Sequence, residues 1–337
     1  MKILITGGCG FVGSNLCFYL KDKLKIKDLL IESVDNLKKK SSIINLRRLQ
    51  KKHIKNYKLD VSKESSLKKL KKYDLIIDCC AEPAVETSKK NPSKVLATNL
   101  VGTINTVEKA RRDNSKIIFI STSRVYPIKQ TYKYFKQGKT FDENENLNGV
   151  KSLYGYSKIS SEMLIEEYSY AFNLDYLIIR SGLITGPWQF GKVEQGLVSL
   201  WIIKHIFRQK LNYIGFNGTG KQIRDVLFID DFCELILILI KKFNSIKNQT
   251  FSVGGGKKNK VNLKKLTNLC QKVTKNKIKI NRIRKTSIYD IPYYVSKNMK
   301  AQNLLHWKPR TNIEDIIVNT FNWINNNKEL IKKYYNE

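Results

Sequence analysis

No stretch of this chain is long and apolar enough to cross a bilayer; the longest apolar run, Leu235–Ile240, reads as the buried face of a helix. Cysteine is sparse and unpatterned. Cys9, Cys17, Cys79, Cys80, Cys233 and Cys270 show no metal-ligand spacing, and several fall in apolar strand or helix positions. No metal is expected, and they read as reduced core residues of a cytoplasmic protein. Acid is short as well: 29 Asp and Glu stand against 62 Lys and Arg, a net charge of +33. The chain nevertheless lacks a detached basic tail or a single basic helix, because lysine is spread through every segment together with Asn and Ile. That pattern argues against a specific nucleic-acid partner or a membrane, and leaves a positive field that favours anionic substrates. Met1 leads straight into an apolar strand, so no cleavable signal is expected. With 42% hydrophobic residues over 337 positions, one large or two interleaved domains can be buried.

What is present begins at the first residue. Lys2–Thr6 is a short apolar run, Gly7, Gly8, Gly10 and Gly13 follow, and Phe11–Leu24 continues with helical periodicity. A strand, a glycine turn and a helix in that order make a phosphate cradle: Gly7 for the tight turn, Gly10 for close approach of a pyrophosphate, Gly13 for packing of helix on strand. Leu29–Val34 then reads as a second strand ending in Asp35-Asn36. An acid there hydrogen-bonds ribose hydroxyls and repels a 2′-phosphate, which favours NAD over NADP. Asp60, at the end of a short strand over Tyr57–Leu59, is placed to meet the adenine.

Asp74–Cys80 and Lys116–Ser121 are further strands, separated by Ala81-Glu82-Pro83-Ala84 and a helix around Val95–Arg112. Continuous apolarity predicts strands covered on both faces, hence a parallel sheet between helices. Tyr132–Val150 reads as a polar, aromatic active-site loop, and Ile313–Tyr334 as one surface helix. The helix Ser152–Phe172 carries Tyr154 and Lys158 four apart, on one face. A lysine ammonium beside a phenol favours phenolate and makes Tyr154 a candidate base, with Thr122 supplying a hydroxyl to the same substrate oxygen.

The strings GGCGFVGSNL, DNL after the second strand, AEPAVETS with its later NP and NLVGTINTVEKAR, STSRVY, YGYSK and RDVLFIDD stand in one order along nearly the whole chain. In these the chain resembles the extended short-chain dehydrogenase/reductase family of nucleotide-sugar epimerases and dehydratases. The resemblance implies a Rossmann doubly wound parallel α/β sheet with a smaller interleaved α/β substrate domain. The NAD-binding domain would span 1–180, with 226–253 returning to it, and the nucleotide-sugar domain 181–225 and 254–337. It implies Thr122, Tyr154 and Lys158 as catalytic. It also implies a NAD site of Gly7, Gly10, Phe11, Val12, Gly13, Asp35, Asn36, Asp60, Val61, Ala81 and Asn99 with Tyr154 and Lys158, Asn99 lying near the nicotinamide ribose. Arg224 would bind the substrate diphosphate, with Arg284, Gln189 and Gln195 as further substrate ligands.

Within the family, the Gly186–Gly196 segment, Asn45-Leu46-Arg47-Arg48-Leu49 and Ser287–Ser296 resemble the group that inverts C2 of a CDP-linked deoxyhexose. Trp188 stands where that group has arginine, Thr185 for a tyrosine, Gly182 for a serine or asparagine, Pro127 for a glycine and Leu197 for a tryptophan. The family's 4,6-dehydratases carry an Asp-Glu pair after the threonine, where this chain has Ser123-Arg124, which disfavours a dehydratase. The expected enzyme is thus a NAD-dependent 2-epimerase working through a 2-keto sugar, with nucleotide sugar for surface polysaccharide as its context. Alternatives are a 4-epimerase or net oxidoreductase on the same scaffold, and a non-catalytic NAD- or RNA-binding scaffold. The helices Val95–Arg112 and Ser152–Phe172 commonly pair in that family, so a homodimer or homotetramer is expected.

Overall fold

The computed structural model describes residues 1–83, 89–193 and 195–336; part of the AEPAVETS stretch and position 194 lie outside the described residues. Two compact units emerge: Met1–Val125 with Ser152–Arg180 and Cys233–Phe251, and Tyr126–Lys151 with Ser181–Phe232 and Ser252–Glu337.

The first unit is built on a seven-stranded sheet. Its strands are β1 (Lys2–Thr6), β2 (Leu30–Val34), β3 (Lys55–Tyr57), β4 (Leu75–Asp78), β5 (Lys116–Thr122), β6 (Tyr176–Ser181) and, from later in the chain, β10 (Gln249–Val253). The order is β10-β6-β5-β4-β1-β2-β3, and β1 pairs in parallel with both β2 and β4, with Ile3 opposite Ile31 and Leu75. This is the doubly wound arrangement, in which the strand order reverses beside β1 and ligands sit at the carboxyl edge. β4 and β6 are buried along their whole length, which is why their sequences run apolar without alternation. Leu4, Ile76, Ile117, Phe119 and Ile178 form the shared core with Val107 and Ile165 from the covering helices.

Polar contacts set one helix with particular firmness. Leu153–Phe172 starts at Ser152, whose hydroxyl accepts the Gly155 N–H at 3.2 Å, and ends at Asn173 in the left-handed region. Midway along it, Glu162 accepts two bonds from the Arg180 guanidinium, at 2.9 and 2.7 Å, and one from the Ser121 hydroxyl. The Glu162 and Arg180 side chains are only 1% and 6% exposed, so helix, β5 and β6 share one desolvated charge pair.

The second unit holds β7 (Leu183–Thr185), β8 (Leu211–Ile214), β9 (Ile223–Phe228), β11 (Lys260–Asn262), β12 (Ile280–Ile283) and β13 (Tyr293–Tyr294). β9 is the hub, pairing antiparallel with β11 and parallel with β13 and β7, while β8 and β12 form a separate parallel pair. Because β9 runs unbroken to Phe228, Val226–Phe228 stay with the second unit, and the first resumes only at Cys233, within the helix that follows.

Tyr126–Lys151 also belongs to the second unit, not to the nucleotide-binding span in which the sequence placed it. The Phe141 ring lies 4.6 Å from Tyr134 and 5.1 Å from both Tyr126 and Tyr294. Phe141 also exchanges backbone bonds there, donating to the Val295 carbonyl at 2.9 Å and accepting from Lys297 N–H at 2.7 Å. Nor is this stretch all loop: Ile128–Gln137 is helical, entered through Pro127 and closed at Gly138 with φ +65°. The expected single C-terminal helix is two, Ile313–Asn326 and Lys328–Asn336, parted at Asn327. No helix among the described residues is long and apolar enough to cross a membrane.

Removing one partner from a buried ion pair strands the other charge. Arg180→Leu is expected to lower the unfolding free energy by about 3–5 kcal/mol in denaturant titration. A loss below about 1 kcal/mol, as for an exposed pair, would show that the Glu162 contact is dispensable.

Candidate active site

The cradle forms where β1 hands over to the helix Phe11–Lys23. Gly7 takes φ +63°, and its carbonyl accepts the Gly10 N–H at 2.9 Å. A Cβ at Gly13 would come within 2.3 Å of the Gly7 carbonyl oxygen, so helix and turn can approach this closely only without a side chain. Gly10 is the N-cap and offers no side-chain bond, which leaves the N–H groups of Phe11, Val12 and Gly13 without intrahelical acceptors at the positive end of the helix. A Cβ at Gly10 would meet only the Gly7 carbonyl, at 3.0 Å, so its other side is open to a ligand backbone or phosphate. These donors and this bare approach fit a dinucleotide pyrophosphate.

The carboxyl ends of the next strands continue the same edge. Asp35 follows β2, and its carboxylate accepts from Cys9 N–H at 3.2 Å and Leu37 N–H at 2.8 Å. Burial pushes its pKa up, against the backbone donors and the Lys39 charge. Asn45 donates to the Cys9 carbonyl at 3.0 Å, and Arg48 donates to Asn15 at 3.0 Å while lying 4.1 Å over the Phe18 ring. The Asn45–Leu49 segment thus braces the glycine turn from behind.

After β3, Asp60 gathers Asn36 at 3.3 Å and Lys38 at 2.8 Å. Burial raises its carboxyl, but Lys38 and the Ser62 donors outweigh that and hold it far below the usual range. Val61 is buried beside it, and its carbonyl accepts from Asn105 at 2.8 Å. Ala81 is half-buried after β4, next to Glu82.

Asn99 occupies a π-helical turn, Ala97–Val101, set within the helix that runs from Pro92 to Asp113. The side chain is fully buried and bonds inward: it accepts from Glu82 N–H at 2.7 Å, donates to the Glu82 carbonyl at 3.2 Å and donates to Ser157 at 3.0 Å. It fastens the loop after β4 to the helix that carries Tyr154, since Ser157 in turn donates to the Tyr154 carbonyl at 2.8 Å.

Thr122, Tyr154 and Lys158 come together at the end of β5. All three are buried, and Tyr154 hydrogen-bonds Thr122. Desolvation pushes the Tyr154 pKa above the ordinary phenol value, and the Thr122 bond and the Arg124 charge offset that only in part. Lys158 donates to the Ile120 carbonyl at 2.9 Å and sits 4.3 Å over the Phe119 ring; burial pulls its pKa down. Arg124, whose charge also lowers the Tyr154 pKa, was not among the candidates that the sequence offered. Its only signal was the Ser123-Arg124 pair standing in place of two acids. Arg124 lies in the turn that follows β5, its N–H on the Thr122 hydroxyl at 3.2 Å.

The four substrate-ligand candidates lie in the second unit, in different settings. Gln189 is buried and bonds within its own neighbourhood, accepting from Thr185 at 2.8 Å and Ser199 at 2.9 Å and donating to the Ile184 carbonyl at 3.0 Å. Gln195 is exposed and exchanges backbone bonds with Lys192. Arg224, on β9, donates to the carbonyls of Ile223 at 2.8 Å and Ile291 at 2.6 Å and lies 3.6 Å from Asp290. Arg284 is exposed beyond β12. Among the described residues no cluster of three or more His, Cys, Asp or Glu could hold a metal ion.

Losing the charge at position 35 removes a charged acceptor for ribose hydroxyls. Asp35→Asn is therefore expected to weaken NAD binding by about 10- to 100-fold and to narrow the preference over NADP, read by calorimetric titration. Unchanged affinity for both would mean that Asp35 serves only the glycine turn.

A model of the NAD dependent epimerase/dehydratase family matches residues 3–254. The chain is 29% identical to CDP-paratose 2-epimerase of Salmonella typhi, over 96% of this chain and 99% of that one. It is also 29% identical to a putative UDP-glucose 4-epimerase of Methanocaldococcus jannaschii, over 96% and 99%. The solved UDP-glucuronic acid 4-epimerase of Bacillus cereus, in complex with UDP-glucuronic acid and NAD, superposes with a TM-score of 0.81 at 23% identity, over 97% and 99%. With the glycine cradle, the acid after β2 and the buried Thr122, Tyr154 and Lys158, the chain belongs to the NAD dependent epimerase/dehydratase family, the nucleotide-sugar branch of the extended short-chain dehydrogenases, and its cofactor is NAD.

Proposed function

We propose that this protein is a nucleotide-sugar epimerase that inverts C2 of a CDP-linked deoxyhexose through a 2-keto intermediate. The observation that carries the chemistry is the buried phenol of Tyr154, bonded to Thr122 at the end of β5. The choice of C2 and of a CDP sugar rests on the Gly186–Gly196 and Asn45–Leu49 segments and on the full-length similarity to CDP-paratose 2-epimerase. A similarity of equal degree to a 4-epimerase keeps inversion at C4 of a UDP sugar as the second reading.

In this account Tyr154 as phenolate accepts the proton of the sugar hydroxyl, and Thr122 holds the same oxygen while its charge develops. NAD, when bound, supplies the hydride acceptor and donor that lets a carbinol carbon become a ketone and return. Once the ketone has turned its other face, the carbon takes its hydrogen back there and Tyr154 returns the proton to the oxygen. Lys158, fixed on the Ile120 carbonyl, and Asn99, through Ser157, hold the helix and the cofactor side of the site in register. Ser123-Arg124 offers no acid and base for removing water, so the ketone persists until it is reduced. Arg224 is the diphosphate ligand in this reading and Arg284 a second one, while Gln189 shapes its loop from within. The reaction belongs in the cytoplasm, supplying sugar donors for surface polysaccharide.

The pH profile separates the roles. Activity needs phenolate, so it rises with pH through the Tyr154 pKa. Arg124 lowers that pKa, and Arg124→Gln should move the acid limb of kcat/KM to higher pH while leaving the alkaline plateau within a few-fold. Tyr154→Phe should cost about 10²- to 10⁴-fold in kcat with NAD still bound. An Arg124→Gln profile that superposes on the parent, or a Tyr154→Phe enzyme with full activity, would remove the phenolate base from the account.

A further inference from the structure

The Gly186–Gly196 segment is held by a structure that no motif announces. Gly186-Pro187-Trp188-Gln189 forms a turn closed by the Gln189 N–H on the Gly186 carbonyl at 3.3 Å. Pro187 takes its second position, and Trp188 its third at φ +69°. That third position calls for glycine or asparagine, since a bulky side chain in the left-handed region is strained. Strain at a residue that departs from its relatives needs something that keeps it there.

The restraint comes from the two C-terminal helices. The Trp188 ring packs at a tilt on Trp323 of Ile313–Asn326, with ring centroids 5.2 Å apart. Phe190 meets the same indole edge-on at 5.9 Å and lies 4.5 Å from Tyr334 of Lys328–Asn336. The next residue of that helix, Tyr335, donates its hydroxyl to the Gly191 carbonyl, and Lys192 reaches over the Tyr334 ring at 5.8 Å. On its inner side the segment is tied by Gln189 to Thr185, Ser199 and the Ile184 carbonyl. Residues 188 to 192 are thus clamped from both sides. The break at Asn327 turns the last helix onto them: Asn327 N–H bonds Trp323 and Ile324 carbonyls, and the chain resumes helix at Lys328.

We propose that Trp188, Trp323 and Tyr335 are positioning residues for the sugar, the C-terminal helices fixing the Gly186–Gly196 segment and with it the shape of the sugar-binding surface of the second unit. The inference rests on the proposed function for the identity of the ligand. Trp188 stands where an arginine would bring a charge and hydrogen-bond donors. The indole at this position packs on Trp323 instead.

The test uses the full chain with Tyr335→Phe, which removes one hydroxyl, and Trp323→Leu, which frees the Trp188 ring. Both proteins are first checked for bound NAD and for cooperative melting. The expected result is a KM for the CDP-linked deoxyhexose raised by at least about tenfold with kcat within about threefold, the signature of lost ground-state positioning. Trp188→Gly, which relieves the backbone strain, should raise KM in the same way although the fold tolerates it. The packed indoles also give a near-UV circular dichroism signal that should change in the parent when the CDP-sugar is added and not in Trp323→Leu. An unchanged KM in folded, NAD-containing variants, or a parent signal indifferent to ligand, overturns the clamp. If the parent turns over no nucleotide sugar, the proposed function fails. The clamp is then judged by the dichroism titration with CDP alone, where a response abolished in Trp323→Leu sustains it and no response in the parent overturns it.

Discussion

The arrangement of reactive groups depends on one desolvated contact, the Glu162 carboxylate held by the Arg180 guanidinium and the Ser121 hydroxyl. Glu162 lies one turn beyond Lys158 on the helix that also carries Tyr154, while Ser121 adjoins Thr122 on β5. A buried charge pair of this kind is satisfied in one register only, because sliding the helix along the strand would strand both ions in an apolar interior. Fixing that register places Lys158 on the Ile120 carbonyl and Tyr154 on Thr122. Asn99 then locks the near end through Ser157. The phenol is thereby held in a dry place where neighbouring charge acts strongly on its ionisation.

The dinucleotide edge follows the same logic with backbone groups in place of charged side chains. Gly7 and Gly13 let the turn and helix close on one another, which leaves the N–H groups at the helix start available to an anion. Asp35 and Asn45 both bond the Cys9 backbone, so the acid after β2 and the glycine turn move as one piece. In the second unit, by contrast, aromatic packing does the positioning. Phe141 with Tyr126, Tyr134 and Tyr294 organises one part, and Trp188, Phe190 and Trp323 another.

Those two kinds of organisation explain what could be read from the chain. The cradle and the strands of the first unit were legible because each is local: glycine spacing, an apolar run, an acid at a strand end. Thr122, Tyr154 and Lys158 were singled out through the resemblance; Tyr154 bonds Thr122, and Lys158 sits on the Ile120 carbonyl two residues earlier on β5. Phe141 was not, because its partners Tyr126 and Tyr294 lie far apart in sequence and only the fold unites them. Arg124 escaped for a related reason: in a lysine-rich chain its only signal, the Ser123-Arg124 pair, did not say that it would sit beside Thr122. Gln189 sits at a position singled out by motif, yet the motif could not say that its amide turns inward to Thr185 and Ser199. The break at Asn327 was hidden too, since both flanking stretches keep helical periodicity and only the packing of Tyr334 and Tyr335 bends the chain there.

The central claim is that a phenolate takes a hydroxyl proton while the hydrogen on the neighbouring carbon is lent and returned without meeting water. Incubating the protein, with its NAD, and CDP-paratose in deuterium oxide and following C2 by NMR tests that claim most directly. The account predicts inversion at C2 with the original hydrogen retained on that carbon and no net reduction of NAD. Inversion with deuterium at C2, or a C2 that keeps its configuration, would contradict it.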